Sequence, residues 1–177
     1  MLRFLKLILI LAGALLVAWV ANFAINYKLD KLKTAGVVSP SQVTADLREK
    51  QLECLARNIY YEAAGEPFEG KVAVAQVTVN RAVSGQFPGD ICRVVYQKNV
   101  IYDKVVCQFS WYCENPSGLR PRHKPLYDES MIAAKKVLLE GFRLPSLEHA
   151  LYYHADYVNP KWNREKVAKI GRHIFYK

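Results

Sequence analysis

The stretch Cys54-Leu55-Ala56-Arg57-Asn58-Ile59-Tyr60-Tyr61-Glu62-Ala63-Ala64-Gly65-Glu66 decides how this chain is read. Leu52, Leu55, Ala56, Ile59 and Ala63 recur at the i, i+3, i+4, i+7 spacing of a helix with one face in a core. Gly65 and Pro67 mark its end. Asn58 and Glu62 are four apart and share a helix face. Glu62 sits in the apolar end of this helix, beside Tyr60, Tyr61 and Ala63. A carboxylate against apolar and aromatic walls is desolvated, which disfavours the charged form and raises its pKa. A general acid needs that property to hold a proton near neutral pH. The competing reading is a solvated surface carboxylate, as most glutamates are. Glu66 lies beyond Gly65 and is expected at the helix exit, more exposed.

Downstream, the run Glu69 to Val83 carries β-branched Val72, Val74, Val77 and Val79, which suit a strand. It is too long for one and has no internal turn residue, so a buried helix is expected. Pro88-Gly89-Asp90 reads as a turn, with Asp90 capping a short helix through Tyr96. Residues 98–125 read as a long irregular loop, with Asn115-Pro116-Ser117-Gly118 near its end. Asp128 reads as the cap of a helix that ends at Gly141, with Met131, Val137 and Leu138 on its apolar face. Leu151-Tyr152-Tyr153-His154 and His173-Ile174-Phe175-Tyr176 alternate like short strands. The fold class expected is α+β, mainly helical.

Upstream, Leu7 to Ile25 contains no charged side chain. These residues span roughly 28 Å as a helix, close to the thickness of a bilayer core. Arg3 and Lys6 precede the run; Lys28, Lys31 and Lys33 follow it; Trp19 and Tyr27 lie towards its C-terminal end. A cleaved signal peptide is the alternative, but the run is long for one and no clean cleavage site follows. The organisation expected is a transmembrane anchor over 1–27, a linker over 28–46 and one domain over 47–177. The Ala content leaves open a weakly hydrophobic anchor that can leave the bilayer.

The chain carries 25 Lys+Arg against 16 Asp+Glu, a formal charge of +9. That balance favours polyanions such as nucleic acid, anionic lipid or an acidic wall, or simply keeps the surface solvated. No arginine-rich helix or nucleic-acid motif is present, so no nucleic-acid partner is expected. None of the four cysteines forms a Cys-x-x-Cys pair, which argues against structural zinc. A disulfide between Cys107 and Cys113 could clamp the short loop between them, leaving Cys54 with Cys92. An even count behind an apolar segment suits an oxidising compartment, periplasm or cell wall, against the alternative of four buried thiols.

Further blocks follow in order: Ala73-Val74-Ala75-Gln76-Val77-Thr78-Val79-Asn80-Arg81, Ile91-Cys92-Arg93-Val94-Val95-Tyr96-Gln97, Gln108-Phe109-Ser110-Trp111, Tyr153-His154-Ala155-Asp156-Tyr157-Val158-Asn159-Pro160-Lys161-Trp162 and Ile170-Gly171-Arg172-His173-Ile174-Phe175-Tyr176. Together with the opening stretch they cover about residues 52–177 and resemble the SleB-like cell-wall hydrolases, the spore-cortex-lytic family. The resemblance implies a lysozyme-like catalytic domain behind the N-terminal helix. It implies peptidoglycan glycan strands as partner, cut between N-acetylmuramic acid and N-acetylglucosamine, in some members by lytic transglycosylation that leaves a 1,6-anhydro end. It places the catalytic acid on Glu62. Ala64 stands where the Glu-Ala-Arg-Gly-Glu form of the motif has Arg, so one surface or substrate contact differs.

Such a site needs one carboxyl, not the pair of an ordinary glycosidase. Gln108, Ser110 and Trp111 are expected to line the cleft, Trp111 as a flat face for a sugar unless it is a core aromatic. Glu66, Tyr153 and His154 are grouped with them as substrate-binding; Glu66 could equally orient a loop. His154 and His173 with a glutamate could hold zinc, but their spacing is wide and no His-Glu-x-x-His occurs, so structural histidines are expected, with no metal and no cofactor. Two other readings stay open: an N-acetylmuramoyl-L-alanine amidase, and a non-catalytic wall-binding or lysis-accessory protein.

Overall fold

A computed structural model describes residues 13, 15–27, 40–114 and 121–177. Two units divide the chain, Met1–Thr44 and Ala45–Lys177. In the first, residues 15–27 are helical, and Leu15, Trp19, Phe23 and Ile25 are exposed. Residues 7–12 and 14 of the uncharged run lie outside the described residues. Among the described residues no helix is long and apolar enough to cross a membrane. Residues 28–39 of the expected linker also lie outside them. Its remainder is helical, because helix α1 runs Pro40–Ala63. Proline is tolerated in a first helical turn. Residues 44–50 are exposed on every side, and burial begins only near Leu52, so the core stripe marks a later start than the backbone has.

Helix α2 (Phe68–Val83) passes through the centre of the second unit, and every residue from Gly70 to Arg81 is buried. All-round burial is what its run of valines reflects: each turn has a packing partner on every side. Val72, Val74, Ala75 and Val79 join one apolar cluster with Leu55, Ile59, Val95 and Val137. Ala73 and Val77 join a second with Leu147, Ala150 and Phe175. Buried polar residues of α2 grip neighbouring segments. Gln76 Nε2 donates to the Leu144 carbonyl at 3.1 Å, and its Oε1 accepts from Leu144 N at 2.7 Å. Asn80 Nδ2 donates to the carbonyls of Leu147 and Ala150 at 2.8 and 3.0 Å. A 3-10 turn at Pro145–Leu147 lies in the segment they grip. Buried Lys71 pairs with Glu129 at 2.9 Å.

Asp90 caps α3 (Ile91–Val95), its Oδ1 accepting from Arg93 N at 2.8 Å. Disulfides join Cys54 to Cys92 and Cys107 to Cys113. The stretch read as an irregular loop has regular structure between residues 98 and 114, and residues 115–120 lie outside the described residues. It holds a hairpin of β1 (Lys98–Ile101) and β2 (Lys104–Cys107), then the short helix α4 (Ser110–Glu114). The hairpin turn is Tyr102-Asp103, both at positive φ (49° and 60°). Two-residue turns of this hand normally carry Asn-Gly or Asp-Gly, so Tyr-Asp hid the hairpin.

Helix α5 (Lys124–Leu138) starts earlier than expected. His123 caps it, Nδ1 accepting from Leu126 N at 3.3 Å, while Asp128 sits inside the helix and pairs with Lys124. Pro125 belongs in that first turn. The chain then turns at Gly141, φ +69°. Strands β3 (Tyr152–Ala155), β4 (Lys166–Ile170) and β5 (His173–Tyr176) form an antiparallel sheet in the order β3-β5-β4. The architecture is α+β and mainly helical.

Candidate active site

Four elements converge on Glu62, in the last turn of α1. Arg81 reaches in from the end of α2, Gln108 and Phe109 from the β2–α4 junction with Ser110 at the start of α4, and Tyr152 and Tyr153 from β3. With Trp162 they line a cleft of about 290 Å3. Tyr153 Oη donates to Glu62 Oε2 at 2.9 Å. Removal from water pushes the Glu62 carboxyl above its ordinary value. The Tyr153 hydrogen bond and the positive charge of Arg81 oppose that rise, and the negative charge of Glu114 adds to it. Burial, then the adjacent Glu62 charge, holds the Tyr153 phenol well above its usual range, so it stays a donor.

Arg81 is only 5% exposed. Its Nε donates to the Leu151 carbonyl at 2.7 Å, and its guanidinium faces the rings of Phe87, Phe109 and Tyr153 at 5.3, 5.3 and 5.8 Å. Burial lowers its pKa, against the pull of Tyr153 and Glu62. Its buried Nη1 makes no hydrogen bond among the described residues.

Of the residues singled out from sequence, Glu62, Tyr153, Gln108 and Ser110 come together here. The structure places three others elsewhere. Trp111 is 5% exposed and belongs to the core: its indole N–H donates to Asn58 Oδ1 at 3.0 Å, and its ring stacks on Tyr61 at 4.6 Å. Asn58 in turn donates to Thr78, so Trp111 ties α4 to α1 and α2. Glu66 points to the β4–β5 turn, where Oε2 accepts from Arg172 N at 2.8 Å. A Cβ on Gly171 would lie 1.8 Å from that oxygen, so the carboxylate fits there because the turn has no side chain. His154 is not among the residues lining the cleft; its Nδ1 is 2.8 Å from the Ala155 carbonyl and its Nε2 2.8 Å from Tyr176 Oη. His173 is buried, and desolvation lowers its pKa. Among the described residues no three His, Cys, Asp or Glu side chains gather as metal ligands.

Sequence reading missed Arg81, Tyr152, Phe109 and Trp162. Arg81 carried a signal, an arginine within a helix otherwise read as buried. Phe109 is itself a core aromatic, 3% exposed, and Tyr152 and Trp162 differ from core aromatics only through contacts made across the fold.

This arrangement defines a mainly helical α+β protein with one desolvated carboxyl in an aromatic-walled cleft. The Hydrolase_2 family model, described as cell wall hydrolase, matches residues 65–176. The spore cortex-lytic enzyme of Bacillus cereus is 29% identical over 133 residues, 73% of this chain and 45% of that protein. The chain thus spans less than half of that relative's length. The crystal structure of the catalytic domain of Bacillus cereus SleB superposes with a TM-score of 0.54 at 30% identity, covering 73% of this chain and 91% of that one. The catalytic domain of the germination-specific lytic transglycosylase SleB from Bacillus anthracis gives 0.53 at 30% identity, covering 72% and 93%. The chain belongs to the cell wall hydrolase family, and its fold is that of the SleB catalytic domain.

Proposed function

We propose that this protein cleaves peptidoglycan glycan strands at the bond between N-acetylmuramic acid and N-acetylglucosamine, as a lytic transglycosylase with Glu62 as acid and then base. The observation that carries the reading is Glu62 itself, a carboxyl with a raised pKa, bonded to Tyr153 and opening into the cleft. The lytic transglycosylase and spore cortex-lytic names of its relatives support it.

The Glu62 carboxyl gives its proton to the glycosidic oxygen, and the bond from that oxygen to the anomeric carbon of the muramic acid breaks. The 6-hydroxyl of the same sugar attacks the anomeric carbon and loses its proton to the Glu62 carboxylate. A 1,6-anhydro end forms, no water is consumed, and the acid is regenerated. Arg81 and the Tyr153 hydroxyl stabilise the carboxylate in the interval when it is charged. Glu62 is the one carboxylate among the described residues lining the cleft, and this route needs one, where an ordinary glycosidase needs two.

We further propose that the uncharged run Leu7 to Ile25 holds the domain at a membrane, on the periplasmic or wall side. Carbonate extraction of membranes, with protease accessibility of the domain, tests that placement. The reaction is tested by mass spectrometry of products from purified peptidoglycan. Anhydro-muramic ends are expected. Reducing ends would mean hydrolysis, free stem peptides an amidase, and wall binding without products an accessory role.

A further inference from the structure

Trp162 lies on the β3–β4 connection, lines the Glu62 cleft and is 43% exposed. Its ring is braced from behind. Tyr152, His154 and Tyr176 meet it edge-to-face at 6.3, 5.5 and 5.8 Å, with interplanar angles of 68°, 81° and 82°. The braces are themselves fixed. His154 stacks on Tyr176 at 5.2 Å and is held at both ring nitrogens. A carbonyl only accepts, so Nδ1 carries the hydrogen toward Ala155, and in the neutral ring Nε2 accepts from the Tyr176 hydroxyl. The Arg164 guanidinium covers the Tyr152 ring at 3.4 Å. Trp162 N donates to the Pro160 carbonyl at 2.8 Å, which fixes the backbone.

A large ring held rigid and left open toward a cleft is a preformed binding face, since little side-chain freedom remains to be lost. The rest of the cleft is polar where Trp162 is flat. Gln108 and Ser110 line it, and the unpartnered Nη1 of Arg81 is a buried donor at its wall. A pyranose ring has that division: an apolar face of C–H groups and a rim of hydroxyl and acetamido groups.

We propose that Trp162 is the platform of a saccharide subsite, stacking on the C–H face of an N-acetylhexosamine unit next to the scissile bond, with His154 as the residue that positions it. The inference rests on the reading of Glu62 as the acid of a glycan-cleaving site.

The test uses the full-length chain. In a Glu62→Gln background, which stops chemistry, binding of soluble tetrasaccharides of alternating N-acetylglucosamine and N-acetylmuramic acid is measured by titration calorimetry, with indole emission recorded alongside. Of the three tryptophans, Trp111 is buried and hydrogen-bonded and Trp19 does not line the cleft, so the sugar-dependent change is expected from Trp162 and disappears in Trp162→Phe, while binding itself persists. Trp162→Ala is expected to weaken binding by about tenfold or more, the scale of one lost stacking contact. In the active chain it raises KM more than it lowers kcat. His154→Ala gives a smaller change in the same direction. Trp162→Phe keeps a flat ring, so it reports even where the alanine variant does not fold. A tetrasaccharide that binds without altering Trp162 emission, in a chain that still cleaves peptidoglycan, would overturn the platform and leave the function standing. A chain that neither binds nor cleaves glycan would overturn both.

Discussion

The Glu62 carboxyl lies above its ordinary pKa because loss of hydration outweighs the two contacts that favour its charge, the Tyr153 hydroxyl at 2.9 Å and the nearby Arg81 cation. Its pKa is higher in the folded chain than in the unfolded one. The stabilising contribution is therefore complete below the ordinary glutamate value of about 4.3 and is lost as pH rises through the raised value. Glu62→Gln is thus expected to match the wild type in melting temperature near pH 4 and to exceed it by a few degrees near pH 7, read by thermal melts across that range. Catalysis by the protonated acid falls as pH rises through the same ionisation. Tyr153→Phe removes a bond that favours the carboxylate, so the alkaline limb of the pH–rate profile should move upward, with a rate loss of about tenfold from poorer positioning. The desolvated setting of Glu62 was legible because its apolar neighbours are adjacent in the chain. Tyr153 was grouped with the site, but its bond to Glu62 was not legible, since the two are 91 positions apart in sequence. The tryptophans show the same limit: packing against Asn58 and Tyr61, not local sequence, makes Trp111 a core residue and leaves Trp162 to face the cleft.

At the scale of elements, the junction of α1 with the sheet depends on a glycine. Gly171 sits at φ +58° with Glu66 Oε2 where its Cβ would be. Gly171→Ala should cost roughly 1–3 kcal/mol in denaturant melts, since it strains the backbone and expels the carboxylate from Arg172 N. Gly65→Ala, with nothing within 4 Å of the added carbon, should cost little. The Cys54–Cys92 bond closes a 38-residue separation between α1 and α3. Replacing both cysteines with serine should cost about 4 kcal/mol on loop-entropy grounds, read by the shift in urea midpoint. Helix α2 was legible because the length of the run outweighed the strand preference of its valines. The β1–β2 hairpin was not, because its turn relies on Tyr102 and Asp103 at positive φ instead of a glycine signal. The start of α5 was misplaced because a histidine side chain does the capping that Asp128 seemed suited to do.

Over the whole molecule, the fold brings the Glu62 carboxyl to the wall of a cleft, and the +9 charge suits an anionic wall. If that charge draws the protein to the wall, cosedimentation with purified peptidoglycan should fall between roughly 0.05 and 0.5 M salt, as exposed charges are screened. Fold class could be read from the order of helical and alternating blocks, because periodicity survives without knowledge of contacts. The cleft could be read only in part, since it forms where α1, α2, β3 and two connections meet. Whether the Glu62 proton breaks the glycan bond is decided by comparing the full-length wild type with Glu62→Gln on purified peptidoglycan, with soluble products counted by mass spectrometry. Anhydro-muramic fragments are expected from the wild type, with a loss of about a thousandfold or more in the variant, which still sediments with the wall. Glycan fragments released by Glu62→Gln at the wild-type rate would contradict that role for Glu62.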